Sequence, residues 1–213
     1  MTAAETCGRE SLTGALGLAL VLATLPVRAE FTEMPVDLSL GAGSSDASLM
    51  QLQLEVEPRW DFSHGDRGSA VASFRLRVDA RDELEPGEPP FDNYASASAP
   101  VTLGSLGTLE LRDLYWEHRL DRGIVRLGKQ QIVWGRLDGI KILDVVNPQT
   151  FREFILDDLD ASRIGLWSAY LDLSLGDWRA ELTWLPDLTS HDIPEAGAWF
   201  ELTAPRFRFG APP

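Results

Sequence analysis

Charged and polar side chains recur at every second position in two neighbouring stretches, Gln51, Gln53, Glu55, Glu57, Arg59 and Asp61 in the first and Ser73, Arg75, Arg77, Asp79 and Arg81 in the second. Two kinds of chemistry could use such a pattern. A pair of carboxylates drawn from Glu55, Glu57 and Glu110 is the equipment of a glycan-cleaving enzyme, in which one acid protonates the leaving oxygen and the other stabilises the sugar. The same carboxylates set among arginines on one face suit a charged wall beside water, where Arg75, Arg77, Arg126 and Arg179 would set the electrostatic field along a solute's path. The second reading fits the interleaving of signs better.

A third concentration of charge lies between Gly135 and Ala161, with Arg136, Asp138, Lys141, Asp144, Arg152, Glu153, Asp157, Asp158 and Asp160. Within it, Asn147-Pro148 predicts a helix start, since Asn caps and Pro fits the first turn, and Gln149 to Leu156 would continue it. A loop helix of this kind can fold into a pore and narrow it. Lys129, Gln130, Arg136, Asp138, Arg152, Glu153, Asp157, Asp158 and Arg163 therefore join Arg75, Arg77, Arg126 and Arg179 as candidates for a pore lining or constriction. A solvated loop whose charges pair locally is the alternative. Asp157, Asp158 and Asp160 offer oxygen ligands of the type calcium prefers, but without EF-hand spacing. The histidines His64, His118 and His191 are scattered and lack metal-ligand spacing. The sequence contains no G-x-S-x-G elbow, H-E-x-x-H helix, phosphate loop, dinucleotide fingerprint or C-x-x-C pair. The expectation is a protein that is not an enzyme and needs no cofactor or metal.

These side chains must be carried by strands. In Gln51 to Phe62, Leu52, Leu54, Val56, Trp60 and Phe62 alternate with the polar set, and in a second stretch Ala70, Ala72, Phe74, Leu76, Val78 and Ala80 do the same. Only a strand places two such sets on opposite faces. Ser63 to Gly68 between them reads as a hairpin turn. Further strands are expected at Thr108 to Leu120, Ile124 to Trp134, Arg163 to Leu175 and Trp178 to Leu185, with Arg206 to Phe209 as a possible seventh. The phase slips at Arg112-Asp113, where a β-bulge would restore one face. Tight turns are expected at Asp121-Arg122-Gly123 and Gly176-Asp177. Asp82 to Leu106, rich in proline and small residues, reads as a surface loop.

The fold class expected is all-β, an antiparallel meander of strands long enough to cross a bilayer at barrel tilt, with Trp60, Trp116, Trp178 and Trp184 suited to interfacial girdles. A soluble β-sandwich with the tryptophans in its core is the competing arrangement. Six or seven strands fall short of the eight in the smallest single-chain barrels, and Pro212-Pro213 cannot donate to a ladder. The barrel is accordingly expected to be incomplete in this chain, as an N-terminal portion or as a wall completed by another chain.

The 33 acidic and 19 basic residues give a net charge of -14, which disfavours a nucleic-acid partner because phosphate contacts need a basic footprint. Residues 1–29 read as a signal peptide, with Arg9, the apolar run Leu12 to Leu25 and the small-residue pattern Val27-Arg28-Ala29 before a cut at Glu30. Cys7 would leave with it. Residues 30–213 would then form the barrel domain in the outer membrane of a Gram-negative cell, its partners membrane lipid and a small-molecule solute.

The run Leu127-Gly128-Lys129-Gln130-Gln131-Ile132-Val133-Trp134-Gly135-Arg136, then Asp138-Gly139, Val145-Val146-Asn147-Pro148-Gln149 and Phe151-Arg152-Glu153, resembles an uncharacterised proteobacterial family of outer-membrane β-barrel proteins. Asp157-Asp158, Ser162-Arg163-Ile164 and Trp184-Leu185-Pro186-Asp187 look like the same family, so the likeness covers roughly Leu109 to Phe200. It implies a porin-like fold, with alginate-export barrels as the kin it suggests, and places the Gly-Lys-Gln strand beside the pore. It implies passive or ligand-selective diffusion of small solutes. Family members are considerably longer than 213 residues. A soluble periplasmic β-domain that binds a ligand or partner is the alternative function.

Overall fold

The computed structural model describes residues 28–42, 49–133, 146–153, 159–194 and 197–201. The fold is all-β. Its strands are β1 (Arg28–Glu33), β2 (Val36–Ala42), β3 (Leu49–Val56), β4 (Arg59–His64), β5 (Gly68–Asp79), β6 (Val101–Thr102), β7 (Gly107–Leu120), β8 (Gly123–Gln130), β9 (Leu166–Leu175) and β10 (Trp178–Trp184), with one short helix, α1 (Leu159–Ser162). All ten strands belong to one antiparallel sheet, in which β1 and β2 lie on β4 and β3, these two lie on β5, and β7, β8, β9 and β10 follow in chain order. The sheet is open, with β1 and β2 along one edge and β10 along the other.

β3 and β4 continue one another, because the register against β5 is unchanged from Val56↔Leu76 to Arg59↔Ser73. Pro58 cannot donate to the ladder, so the regular bonding lapses there, although the Pro58 carbonyl still accepts from Phe74 N at 3.2 Å. Pro35 interrupts β1 and β2 at the same level, its carbonyl accepting from Glu57 N at 3.0 Å. The strand expected at Gln51 to Phe62 is therefore present but divided. The strand over residues 28–42 was not anticipated, since Arg28 and Ala29 had been assigned to the end of the signal; they pair with Ser63 and Phe62.

The phase slip at Arg112 is a register shift, as expected: Ser73 faces Asp113 while Phe74 faces Leu111. One extra residue on β7 leaves both Arg112 and Asp113 on the same, covered side. The turns at one end of the sheet are short, at residues 65–67, 121–122 and 176–177, with Gly65 and Gly176 supplying the positive φ of 59° and 69° that such turns require. At the other end lie the long connections from β5 to β7, from β8 to β9, and after β10.

Those connections fold back over one face. The segment after Asp79 is not an extended surface loop, because Asp79 Oδ2 accepts from the amides of Glu83 at 3.0 Å and Leu84 at 2.9 Å, and Leu84 is fully buried. The helix expected from Gln149 is not formed: Gln149 bridges Arg163 and Thr150 bridges Asp192, both in strand fashion. Asn147 spends its carboxamide elsewhere, accepting from Ile132 N and donating to Ile164 O, each at 2.8 Å, so it is no helix cap. The strand expected through Trp134 ends at Gln130, and the one expected from Arg163 begins at Leu166. Arg206 to Phe209 lies outside the described residues.

The two faces differ in an unusual sense. The face under the loops carries the charges, with Arg75, Arg77, Asp79, Glu110 and Arg112 all buried. The opposite face is apolar and uncovered: Leu40 is 66% exposed and Leu182 61%, with Leu54, Phe74, Leu109, Leu114 and Leu127 also exposed. Phe31, Trp60 and Phe74 stack edge to face across this side at centroid distances of 5.7 and 6.2 Å.

Gly128 takes φ +132°, a region essentially reserved for glycine. A Cβ there would stand 2.2 Å from Leu114 O and 2.7 Å from Tyr115 Cα, both backbone atoms of β7 that cannot yield. Gly128→Ala is expected to cost about 3 kcal/mol, by strain and by displacement of the β7–β8 ladder, seen as a lowered urea midpoint of the refolded chain. An unchanged midpoint would contradict this geometry.

Candidate functional site

The covered face holds a ladder of ions built by register. β3 sets Glu55 opposite Arg77, and β7 sets Glu110 opposite Arg75. Arg75 Nε lies 3.1 Å from Glu55 and is also hydrogen-bonded to Glu57, while its Nη1 donates to Ala161 O at 2.8 Å. Arg77 Nε donates to Glu55 Oε2 at 2.7 Å. Arg112, thrown onto this face by the bulge, lies 3.4 Å from Glu57 and 3.8 Å from Glu110, and donates to Asp160 O at 3.0 Å and Arg163 O at 2.5 Å. Two guanidinium groups thus bond the carbonyls of α1 and of the residue just after it. They complement the negative end of that turn as basic groups do at helix C-termini, and they fasten the loop to the sheet.

Burial of this many charges is tolerable only where the pairing is nearly complete, because an uncompensated ion in a low-dielectric interior is very costly. Arg75 is 1% exposed, and its Nη2, like Glu110 Oε1, lacks a hydrogen-bond partner.

A second cluster continues the ladder toward the long-loop end. Arg152 Nε donates to Glu85 Oε2 at 2.5 Å and its Nη1 contacts Gln53, whose Nε2 donates to Glu153 Oε1 at 2.8 Å. Lys129 is fully buried, with Nζ donating to Ser98 O at 3.1 Å. Gln130 is buried beside it and donates to Ser168 O at 3.5 Å. Ser98 in turn donates to Asp187, which also accepts from Thr189 Oγ1 at 2.7 Å, Thr189 N at 3.0 Å and Trp167 N at 3.1 Å.

Burial alone would push the Asp187 carboxyl up, but the bonds from Ser98, Thr189 and Trp167 outweigh it and hold the pKa below the usual aspartate value. A folded-state pKa below the unfolded one stabilises the fold above the unfolded value and ceases to do so as pH falls through the folded one. The urea midpoint of Asp187→Asn should therefore fall below that of the native chain at neutral pH, and the gap should narrow as pH is lowered below the usual aspartate value. A gap independent of pH would show that the charge of Asp187 is not what binds these loops.

Of the residues expected to act together, Arg75, Arg77, Lys129, Gln130, Arg152 and Glu153 are gathered beneath the loops, and Arg163 joins them through its carbonyl and an ion pair with Asp160. Arg126 stands apart: it donates to Glu117 at 2.6 Å and lies over the rings of Tyr115 and Tyr170 at 5.7 and 5.9 Å. Arg179 also stands apart on the edge strand, with bonds of 2.9 and 2.8 Å to Asp172. Arg136, Asp138, Asp157 and Asp158 lie outside the described residues. Arg112, Gln53, Glu85 and Asp187 were not singled out as site residues. The slip at Arg112-Asp113 was the one signal that could have found the first of them.

Among the described residues no group of three or more His, Cys, Asp or Glu side chains is arranged to hold a metal. No described helix is long and apolar enough to cross a membrane. Comparison with protein-family models, with curated proteins and with solved structures returned no match.

Proposed function

We propose that this chain forms part of the wall of an outer-membrane β-barrel that admits small polar solutes, with the covered charged face toward the lumen and the bare apolar face toward lipid. The observation that carries the reading is the inversion of the sheet. In water an apolar strand face is buried and a charged one solvated, whereas here Leu40, Leu54, Leu114 and Leu182 are uncovered and Arg75, Glu110 and Arg112 are enclosed. The two ends agree with it, since barrels of this class pair short periplasmic turns with long outer loops. Trp178 (79% exposed) at the short-turn end and Trp184 (68%) toward the other suit the interfacial girdles.

The loops over the polar face would narrow the passage, and Arg75, Arg77, Arg112, Glu55, Glu57 and Glu110 would set its field. No binding energy, cofactor or proton relay is required, because the solute follows its own gradient. An open sheet leaves unpaired edges that hydrocarbon cannot satisfy, so a closed pore also needs strands beyond the described sheet or a second copy of it. The likeness of roughly Leu109 to Phe200 to outer-membrane barrel proteins belongs to the same proposal.

Expression in a Gram-negative host tests it. The expected product is found in the outer membrane, is extracted only with detergent, and gives discrete conductance steps in planar bilayers. A folded product released into buffer without detergent would overturn the reading and favour a periplasmic binding domain.

A further inference from the structure

At the long-loop end a cavity of about 260 Å³ opens between residues 85–93 and 191–194, lined by Glu85, Phe91, Asp92, Arg152, His191 and Asp192 with several prolines. Its polar groups are unequally engaged. Arg152 is bound to Glu85 and Gln53, Asn93 Nδ2 donates to His191 O at 3.2 Å and Asp192 at 3.4 Å, and His191 Nδ1 accepts from Gln149 N at 3.0 Å. Glu85 is thereby paired, whereas Asp192 and Asp92 have no ion-pair partner among the described residues. Asp192 accepts from neutral donors, Thr150 Oγ1 at 3.1 Å, Tyr94 OH at 3.5 Å and Asn93. Burial and the neighbouring Glu85 push its pKa up by more than the Arg77 charge and the bonds from Thr150 and Asn93 lower it. Asp92 is exposed at the rim.

One wall of the cavity is the ring of Phe91. Phe91 adopts φ +49°, an outlier for a bulky side chain, and packs edge to face on Tyr94 at 5.5 Å. An aromatic ring beside two carboxylates without an ion-pair partner matches a positively charged ligand. The volume lies just under the roughly 300 Å³ at which drug-sized pockets begin, which suits a small amine and excludes an oligosaccharide.

We propose that this cavity binds a small organic ammonium ion, seated against Phe91 and countered by Asp192 and Asp92. The inference does not depend on the channel reading, because binding is measured on the purified full chain whether or not it needs detergent.

Saturation-transfer NMR with tetramethylammonium chloride as probe, in a polyoxyethylene detergent where one is required, is the test. Transfer to the methyl protons is expected, with none to glucose or acetate. Asp192→Asn should weaken the probe about tenfold and Phe91→Ala about threefold. Asp92→Asn, at an exposed position without a structural partner, should weaken it without touching the fold. Absence of transfer to the folded native chain, equal transfer to acetate, or binding unaltered by both Asp92→Asn and Phe91→Ala would overturn the proposal.

Discussion

Arg75→Met is expected to cost about 3–5 kcal/mol of stability, the range for removing one member of a buried ion network and leaving the others uncompensated. The substitution keeps much of the volume but deletes the contacts to Glu55, Glu57 and Ala161 O and strips the enclosed Glu110 of one neighbouring cation. A chain of this size has only some 5–15 kcal/mol in total, so denaturant midpoint and folded yield should both fall sharply. Arg67→Met is the contrast. Its pair with Asp121 at 2.8 Å is solvent-exposed on both sides, and its loss should cost no more than about 1 kcal/mol. Adding Glu110→Gln to Arg75→Met should restore part of the loss, since it removes a buried charge whose partner has gone. Equal, small losses for Arg75→Met and Arg67→Met would mean that the ladder is hydrated and not enclosed.

Leu114→Arg tests the opposite face. Leu114 lies between Ala72 and Lys129 in the ladder and is 44% exposed on the apolar side. In an aqueous protein an arginine at such a site is nearly neutral, within about 0.5 kcal/mol. Facing hydrocarbon near the bilayer midplane it costs about 2–4 kcal/mol. The expected result is loss of folding into lipid vesicles, measured by the urea dependence of tryptophan fluorescence, with Leu120→Arg near the short-turn end affected less. Unaltered insertion of Leu114→Arg would remove lipid from this face.

The strands were legible because alternation survives wherever one face differs chemically from the other, as Leu52 to Phe62 and Ala70 to Val78 do. Even the bulge was visible, since Arg112-Asp113 breaks a phase that Leu109 and Trp116 keep on either side. Which face is covered was not legible, because alternation is symmetric: it separates two sets of residues without saying what meets either one. The loops were misjudged for a related reason. Proline and small residues from Pro86 to Pro100 read as exposed chain, but their order comes from distant acceptors, Asp79 for the amides of Glu83 and Leu84 and Asp187 for Ser98. The Asn147-Pro148 helix start failed likewise, since the Asn147 carboxamide bridges Ile132 and Ile164, partners 15 and 17 residues away. The cavity beside Phe91 depends on three segments far apart in sequence, and no local spacing announces it.

The interruptions at Pro35 and Pro58 and the bulge at Arg112 are not scattered. Pro35 bonds Glu57, Pro58 bonds Phe74, and Phe74 sits at the register shift that Arg112 creates, so the irregularities form a single line running across four adjacent strands. Bulges bend and over-twist the strands that contain them, and designed sheets use them as corners. Such a line is where a sheet bends most readily. Glu57, Arg75, Glu110 and Arg112 meet along it on the covered face, and the rings of Phe31, Trp60 and Phe74 meet along it on the other. The ionic ladder and the aromatic cluster thus lie back to back along one seam of irregular pairing, placed by two prolines and one extra arginine.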